Sequence, residues 1–253
     1  MKLNYRQIGA GSPIIILHGL FGMSDNWQSF ARMLEQNNFA TYLVDLRNHG
    51  QSPHDPIHNY SVMAADVAEL ITDLNLPQPV VLGHSMGGKV AMQLLIDYPE
   101  MVSKLIVVDI APYNYPIHHR EILDALLSVN LNEIKSRSDA EKILSDKIDD
   151  AGTRQFLLKN LYWITPEKLE WRFNLSVLNT EIEEVGNATW PSIPINTEVL
   201  FVRGENSGYL DTTRYKEIEQ WYPKAKFETI PNAGHWVQAE QPKLLLEAIL
   251  KFI

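Results

Sequence analysis

Cysteine is absent from the 253-residue chain, which excludes a disulfide framework and any thiolate chemistry. A basic surplus is missing as well. Lys and Arg number 22 against 31 Asp and Glu, a formal net charge of -9. No global positive field is therefore available to a polyanion, and nucleic acid is not an expected partner. Long apolar runs are also lacking. The run Ile14 to Leu17 is far too short for a signal-peptide core or a membrane span, so the chain reads as soluble and cytoplasmic, without integral membrane association. No internal repeat, low-complexity tract or heptad series breaks the pattern. What is present is 45% hydrophobic residues, enough for one large core or a core domain carrying a smaller insert.

Short β-branched runs alternate with longer helix-like segments. The runs cover 13–17, 40–46, 79–84, 104–110, 197–204 and 225–231, and continuous apolar strands of this kind suit a parallel sheet covered on both faces. Helices are expected over 26–37, 61–74, 86–97, 212–222 and 240–253. The alternation predicts a doubly wound, mostly parallel α/β sheet, with reactive groups gathered at the carboxyl ends of the strands. It stops between Pro112 and Pro194, where "REILDALLSV", "DAEKILSDKI", "TRQFLLKNLYW" and "PEKLEWRFNLSVLN" look helical and no strand stands out. The expected organisation is a core of residues 1–112 and 194–253 with a helical cap at 113–193.

One pentapeptide carries chemistry. Gly83-His84-Ser85-Met86-Gly87 follows an apolar strand run and opens a helix-like one. A serine there sits on a tight strand-to-helix turn with its hydroxyl exposed, close to the backbone donors and dipole of a helix N-terminus. Flanking glycines suit a turn too crowded for side chains. A second glycine turn, in "ILHGLFG" at 16–22, ends the first core strand and can aim an amide at a developing oxyanion. The expected donors are the Leu20 and Met86 N–H groups, with His18 supporting the loop.

A serine nucleophile needs a base. Of eight histidines, His235 has the right setting, on the glycine-containing loop "IPNAGHWVQAEQP" directly after the last strand run. His84 reads as structural, and His49, His54, His58, His118 and His119 lack a comparable strand-end position.

Taken together, HG-L-F-G at 18–22, D-L-R-N-H-G-x-S at 45–52, G-H-S-M-G-G at 83–88 and G-H-W at 234–236 resemble the α/β-hydrolase family across nearly the whole chain. In many members the acid follows the penultimate strand as Gly-x-x-Asp. Here that stretch reads Gly204-Glu205-Asn206-Ser207, so the carboxylate is missing. Asp109, closing "LIVVDIAP" on the strand after the serine turn, is the better candidate, with Glu205 and Asp211 as alternatives. Asp45 beside Arg47-Asn48-His49-Gly50 reads as a loop-stabilising network. The relocated acid, with "VVDIAP", "EWRFNL" and "VRGENSGYL", looks like the YbfF-type bacterial esterases and acyl-CoA thioesterases.

These readings converge on a serine esterase acting on small acyl esters, or on acyl-CoA thioesters as the resemblance implies, through an acyl-enzyme. No metal or other cofactor is called for. Leu20, Phe21 and Met86 are expected on the pocket floor. Phe156, Tyr162, Trp163, Trp171 and Phe173 offer aromatic surface from the insert, and Phe21, Trp163 and Trp171 are taken as substrate-binding residues. His118, His119 and Arg120 open the insert with local positive potential. A C–C bond hydrolase or perhydrolase on the same residues is one rival reading, and a non-catalytic binding protein of this fold is the other.

Overall fold

The computed structural model describes residues 1–116 and 119–253. His118 therefore lies outside the described residues. In chain order the strands are β1 (Tyr5–Ile8), β2 (Ser12–Leu17), β3 (Phe39–Val44), β4 (Val80–His84), β5 (Lys104–Val108), β6 (Leu161–Thr165), β7 (Lys168–Trp171), β8 (Glu198–Gly204) and β9 (Ala225–Ile230). Helices α1 (Gln28–Glu35), α2 (Tyr60–Asp73) and α3 (Met86–Asp97) link the first strands. Helices α4 (Arg120–Leu127), α5 (Arg137–Ser145), α6 (Ala151–Leu158), α7 (Leu175–Thr180) and α8 (Ile182–Gly186) lie between β5 and β8. Last come α9 (Tyr215–Trp221), α10 (Val237–Glu240) and α11 (Pro242–Phe252).

The main sheet runs β1-β3-β2-β4-β5-β8-β9, with β1 antiparallel and every other pairing parallel. The apolar runs form its centre because both faces are covered. Ile14 and Ile16 join Trp27, Phe30 and Leu34 of the α1 region and Leu245 and Ile249 of α11 in one core cluster. Ile15 and Leu17, one residue out of phase, join Val67 of α2 and Val90 of α3 in the other. That period-two split is what a strand buried on both sides requires. β1 was not foreseen: "YRQI" is largely exposed along the sheet edge and carries no apolar signal.

Between β5 and β8 the expectation of helices alone is corrected. β6 and β7 pair antiparallel, Leu161 opposite Trp171 and Tyr162 opposite Glu170. The turn falls at Pro166-Glu167, and Pro166 cannot sit within a helix without breaking it. β-branched and aromatic residues before it, Tyr162 to Thr165, favour the extended chain. This segment is tied to the strand ends by named bonds. Asn160 Nδ2 donates to the Phe21 carbonyl at 2.8 Å, the Asn174 N–H to the Asn48 carbonyl at 2.8 Å, and the Tyr60 hydroxyl to the Val185 carbonyl at 2.6 Å. Among the described residues no helix is long and apolar enough to cross a membrane.

Candidate active site

Ser85 occupies the turn from β4 into α3 with φ 54° and ψ -122°, a conformation L-residues rarely adopt. Sterics hold it there. A Cβ on Gly83 would lie 2.1 Å from the Gly87 carbonyl oxygen, and one on Gly87 would lie 2.4 Å from the Leu17 carbonyl oxygen. Glycine at both flanks thus lets the turn close against β2.

Asp109 follows β5 directly and is also in the left-handed region, at φ 53°. Its N–H bonds the Val202 carbonyl at 2.7 Å, fixing the turn to β8. The side chain is fully buried. Oδ1 accepts the Gly204 N–H at 2.9 Å, and Oδ2 accepts both the Ser207 hydroxyl at 2.5 Å and His235 Nδ1–H at 2.7 Å. Because a carboxylate only accepts, the His235 proton sits on Nδ1 and the lone pair on Nε2. Nε2 lies 3.1 Å from Ser85 Oγ. Among the described residues no lysine or arginine is paired with Asp109, so His235 is the group whose positive charge it is placed to stabilise.

The alternatives for the acid lie elsewhere. Glu205 Oε2 accepts the Asn232 N–H at 2.9 Å, and Asp211 Oδ1 caps the turn at Thr213 N–H, also at 2.9 Å. Ser207 was missed in the sequence. It stands where the resemblance expects a carboxylate, and contributes a hydroxyl to the relocated one. Its signal was the small polar residue at the fourth place of Gly204-Glu205-Asn206-Ser207.

Neighbouring rings frame His235: Tyr209 at 4.3 Å and His84 at 4.8 Å between centroids. His84 Nε2–H donates to the His235 carbonyl at 2.8 Å. Burial, reinforced by the charge His235 can carry, pushes the His84 imidazole down to about 3, so it stays neutral beside His235.

The loop after β2 is built by histidines held neutral. His18 donates Nδ1–H to the Gly19 carbonyl at 2.8 Å and accepts the Leu46 N–H on Nε2 at 3.0 Å. His49 donates to the Arg47 carbonyl and accepts the Phe21 N–H at 3.2 Å. Burial lowers both rings, His49 well below the ordinary value, and brings His58 down to about 4. Asp45 accepts the Ser24 and Gln51 N–H groups at 2.7 and 2.9 Å, a purely architectural duty. In the same turn the Phe21 amide is bound to His49 and the Gly22 amide to the Gly19 carbonyl at 2.9 Å, while Leu20 lines the cavity over Ser85. Met86 N–H, first in α3, has no intrahelical acceptor and lies at the positive end of the helix dipole.

A cavity of about 240 Å³ opens over Ser85 and His235, walled by Leu20, Phe21, Phe156, Leu157 and Trp236. Phe156 and Trp236 meet across it with ring centroids 5.6 Å apart. Two residues expected on its wall are elsewhere. Trp171 is buried and stacks on Phe173 at 5.4 Å, inside the packing of the insert. Trp163, on the other strand of the hairpin, is 47% exposed. Trp236 and Tyr209 take part instead, from the loops after β9 and β8.

Residues 12–133 match the alpha/beta hydrolase fold family. The chain is 37% identical over 247 residues to sn-1-specific diacylglycerol lipase ABHD11 of Mus musculus, spanning 95% of this chain and 80% of the lipase. It is 36% identical over 260 residues to Esterase YbfF of Escherichia coli (strain K12), spanning 100% and 99% of the two chains. A solved structure described as a marine microorganism esterase is similar at a TM-score of 0.96 and 40% identity, covering 100% of this chain and 99% of its own. A serine turn, a histidine loop and a two-faced parallel sheet in this arrangement, matched end to end by such relatives, mean that the chain belongs to the α/β-hydrolase family, among members named esterases and lipases.

Proposed function

We propose that this carboxylic ester hydrolase works through an acyl-enzyme on Ser85, with His235 as general base and acid and Asp109 orienting it. The observation that carries the reading is the hydrogen-bonded chain from Ser85 Oγ through His235 to Asp109, at 3.1 and 2.7 Å.

His235 Nε2 takes the hydroxyl proton as Ser85 Oγ attacks the ester carbonyl carbon. The carbonyl oxygen becomes an anion facing the Leu20 and Met86 N–H groups; one such donor is typically worth about a hundred- to a thousandfold in rate. The imidazolium formed is held by the Asp109 carboxylate, then gives its Nε2 proton to the departing alcohol oxygen. Water next loses a proton to His235, attacks the acyl carbon, and expels Ser85 Oγ with its proton restored. A thioester follows the same sequence with a thiol leaving, so acyl-CoA thioesters remain in the proposed substrate class. Residues 113–193 act as a cap over the cavity, contributing Phe156 and Leu157 to its wall.

The test is initial hydrolysis rate against p-nitrophenyl esters, acyl-CoAs and a diacylglycerol, beside Ser85→Ala. Activity lost in the variant supports the reading; no turnover of any ester by the folded native protein removes it.

A further inference from the structure

Phe21 is held in a strained conformation in the turn after β2. The Gly22 N–H bonds the Gly19 carbonyl at 2.9 Å, which closes a four-residue turn with Phe21 at its third position and its φ at 59°. Glycine or asparagine usually takes that conformation, and a bulky side chain holds it only where its surroundings leave no alternative. Three contacts do so here. The Phe21 N–H donates to His49 Nε2 at 3.2 Å, its ring lies 5.2 Å from that of Phe173, and its carbonyl accepts Asn160 Nδ2–H at 2.8 Å. Two of the three come from the segment between β5 and β8.

We infer that Asn160 is a positioning residue for ester hydrolysis; the inference rests on the acyl-enzyme reading above. Through the Phe21 carbonyl it holds the turn that presents the Leu20 amide to the reacting carbonyl. The seating of the segment between β5 and β8 thereby governs oxyanion stabilisation.

Asn160 is committed to that bond. It is buried between α6 and β6, and its backbone is fixed on both sides, the N–H to the Leu157 carbonyl at 3.0 Å and the carbonyl to the Arg172 N–H at 2.9 Å. Both Nδ2 hydrogens go to carbonyls, of Phe21 at 2.8 Å and of Leu157 at 3.3 Å, which fixes the direction of the amide. Among the described residues its Oδ1 is buried without a partner. Burying an unpaired acceptor opposes folding, and a leucine of similar size would avoid it. What leucine cannot supply is the donor to Phe21. Leu20, next to Phe21, lines the cavity over Ser85, so relaxation of the Phe21 backbone toward negative φ carries the Leu20 peptide with it. A misplacement of about 1 Å at a reacting centre can cost about a hundredfold in rate.

The experiment compares the native protein with full-length Asn160→Leu and Asn160→Asp, circular dichroism confirming the fold. For naphthyl acetate, Asn160→Leu should lower kcat by about ten- to a hundredfold and leave KM within about threefold. Inhibition by a trifluoromethyl ketone, which Ser85 converts to a tetrahedral oxyanion, should weaken by a similar factor. Naphthol, which develops no such charge, should bind as before. Asn160→Asp keeps the shape but aims an acceptor at the Phe21 carbonyl, and serves should the leucine variant not fold. Its activity relative to native should recover as pH is lowered, because the buried carboxyl then takes up a proton it can donate to that carbonyl. Asn174→Ala removes a different side-chain bond between the same segment and the core, to Asn48 Oδ1 at 3.2 Å, and should stay within about threefold of native.

A native kcat in either folded Asn160 variant overturns the assignment. So does a loss confined to KM, an undiminished affinity for the trifluoromethyl ketone, or an equal loss in Asn174→Ala. In each case turnover by the native protein keeps the ester-hydrolase reading intact. No turnover of any ester by the native protein, with Ser85 unlabelled by a fluorophosphonate, removes both together.

Discussion

Asp109→Asn tests the relocated acid most directly, because the structure dictates how the amide must sit. Gly204 N–H points at Oδ1 and needs an acceptor, so the amide oxygen takes that place. The NH2 group then occupies the site of Oδ2, facing both Ser207 Oγ and His235 Nδ1. The Ser207 hydroxyl can rotate to accept one hydrogen, and His235 Nδ1 accepts the other. That second bond forces the imidazole proton onto Nε2, where it faces Ser85 and cannot remove the serine proton. An amide in place of a triad aspartate costs about 10⁴ in kcat through this tautomer change, about 5 kcal/mol of barrier. The assay is steady-state hydrolysis of naphthyl acetate, with circular dichroism and the melting temperature confirming a native fold. Glu205→Gln and Asp211→Asn, measured alongside, should stay within about threefold of the native rate, since exposed substitutions without buried partners perturb little. An Asp109→Asn enzyme within tenfold of native, or a comparable loss in Glu205→Gln, would refute the assignment.

Other outcomes follow from the same geometry. Ser85→Ala should lower kcat by about 10⁶ while leaving the melting temperature near native, and surviving turnover would point to a different nucleophile. Gly83→Ala places a methyl 2.1 Å from the Gly87 carbonyl oxygen; a loss of more than about 3 kcal/mol in urea unfolding is expected, and a soluble variant of native stability contradicts the close-packed turn. Phe156→Ala should raise KM for naphthyl esters severalfold whereas Trp163→Ala should not, and the reverse would relocate the binding surface. His58 and His84 stay neutral when folded, down to about 4 and 3, but take up protons when unfolded. Stability is therefore fully present above pH 6.5 and falls as pH drops below it, by about 1.4 kcal/mol per histidine per pH unit. Denaturation midpoints unchanged between pH 7.5 and 5.5 would show that these rings are not held neutral.

The residues legible in the sequence are those that end a strand within a local pattern. Ser85 and Asp109 each close an apolar run and His235 lies on the loop after β9, so topology brings all three to the carboxyl ends of the strands. Ser207 was hidden because its bond to Asp109 crosses 98 positions, and nothing near it marks a hydroxyl as a partner for a distant carboxylate. Trp163 and Trp171 were misplaced for another reason. In "LYWITPEKLEW" the apolar residues fit a helical period about as well as an alternating one, and Pro166 with the β-branched and aromatic residues before it argues for the hairpin that turns one indole outward and the other into the core. The polar edge strand β1 is recruited by pairing with β3 rather than by burial, which leaves no hydrophobic trace.

The acid's position also orders the assembly of the site. Ser85 and Asp109 close neighbouring strands joined by a single helix, so one short crossover brings them together with little loop entropy. His235 comes from the far end of the chain, beyond β8, which pairs with β5, and β9, which pairs with β8. On the proposed roles, a nascent polypeptide still missing its last strands holds nucleophile and acid without a base, and is expected to be catalytically silent. Onset of ester turnover during refolding thus times the docking of the final quarter of the chain, separately from the earlier gain of helical signal.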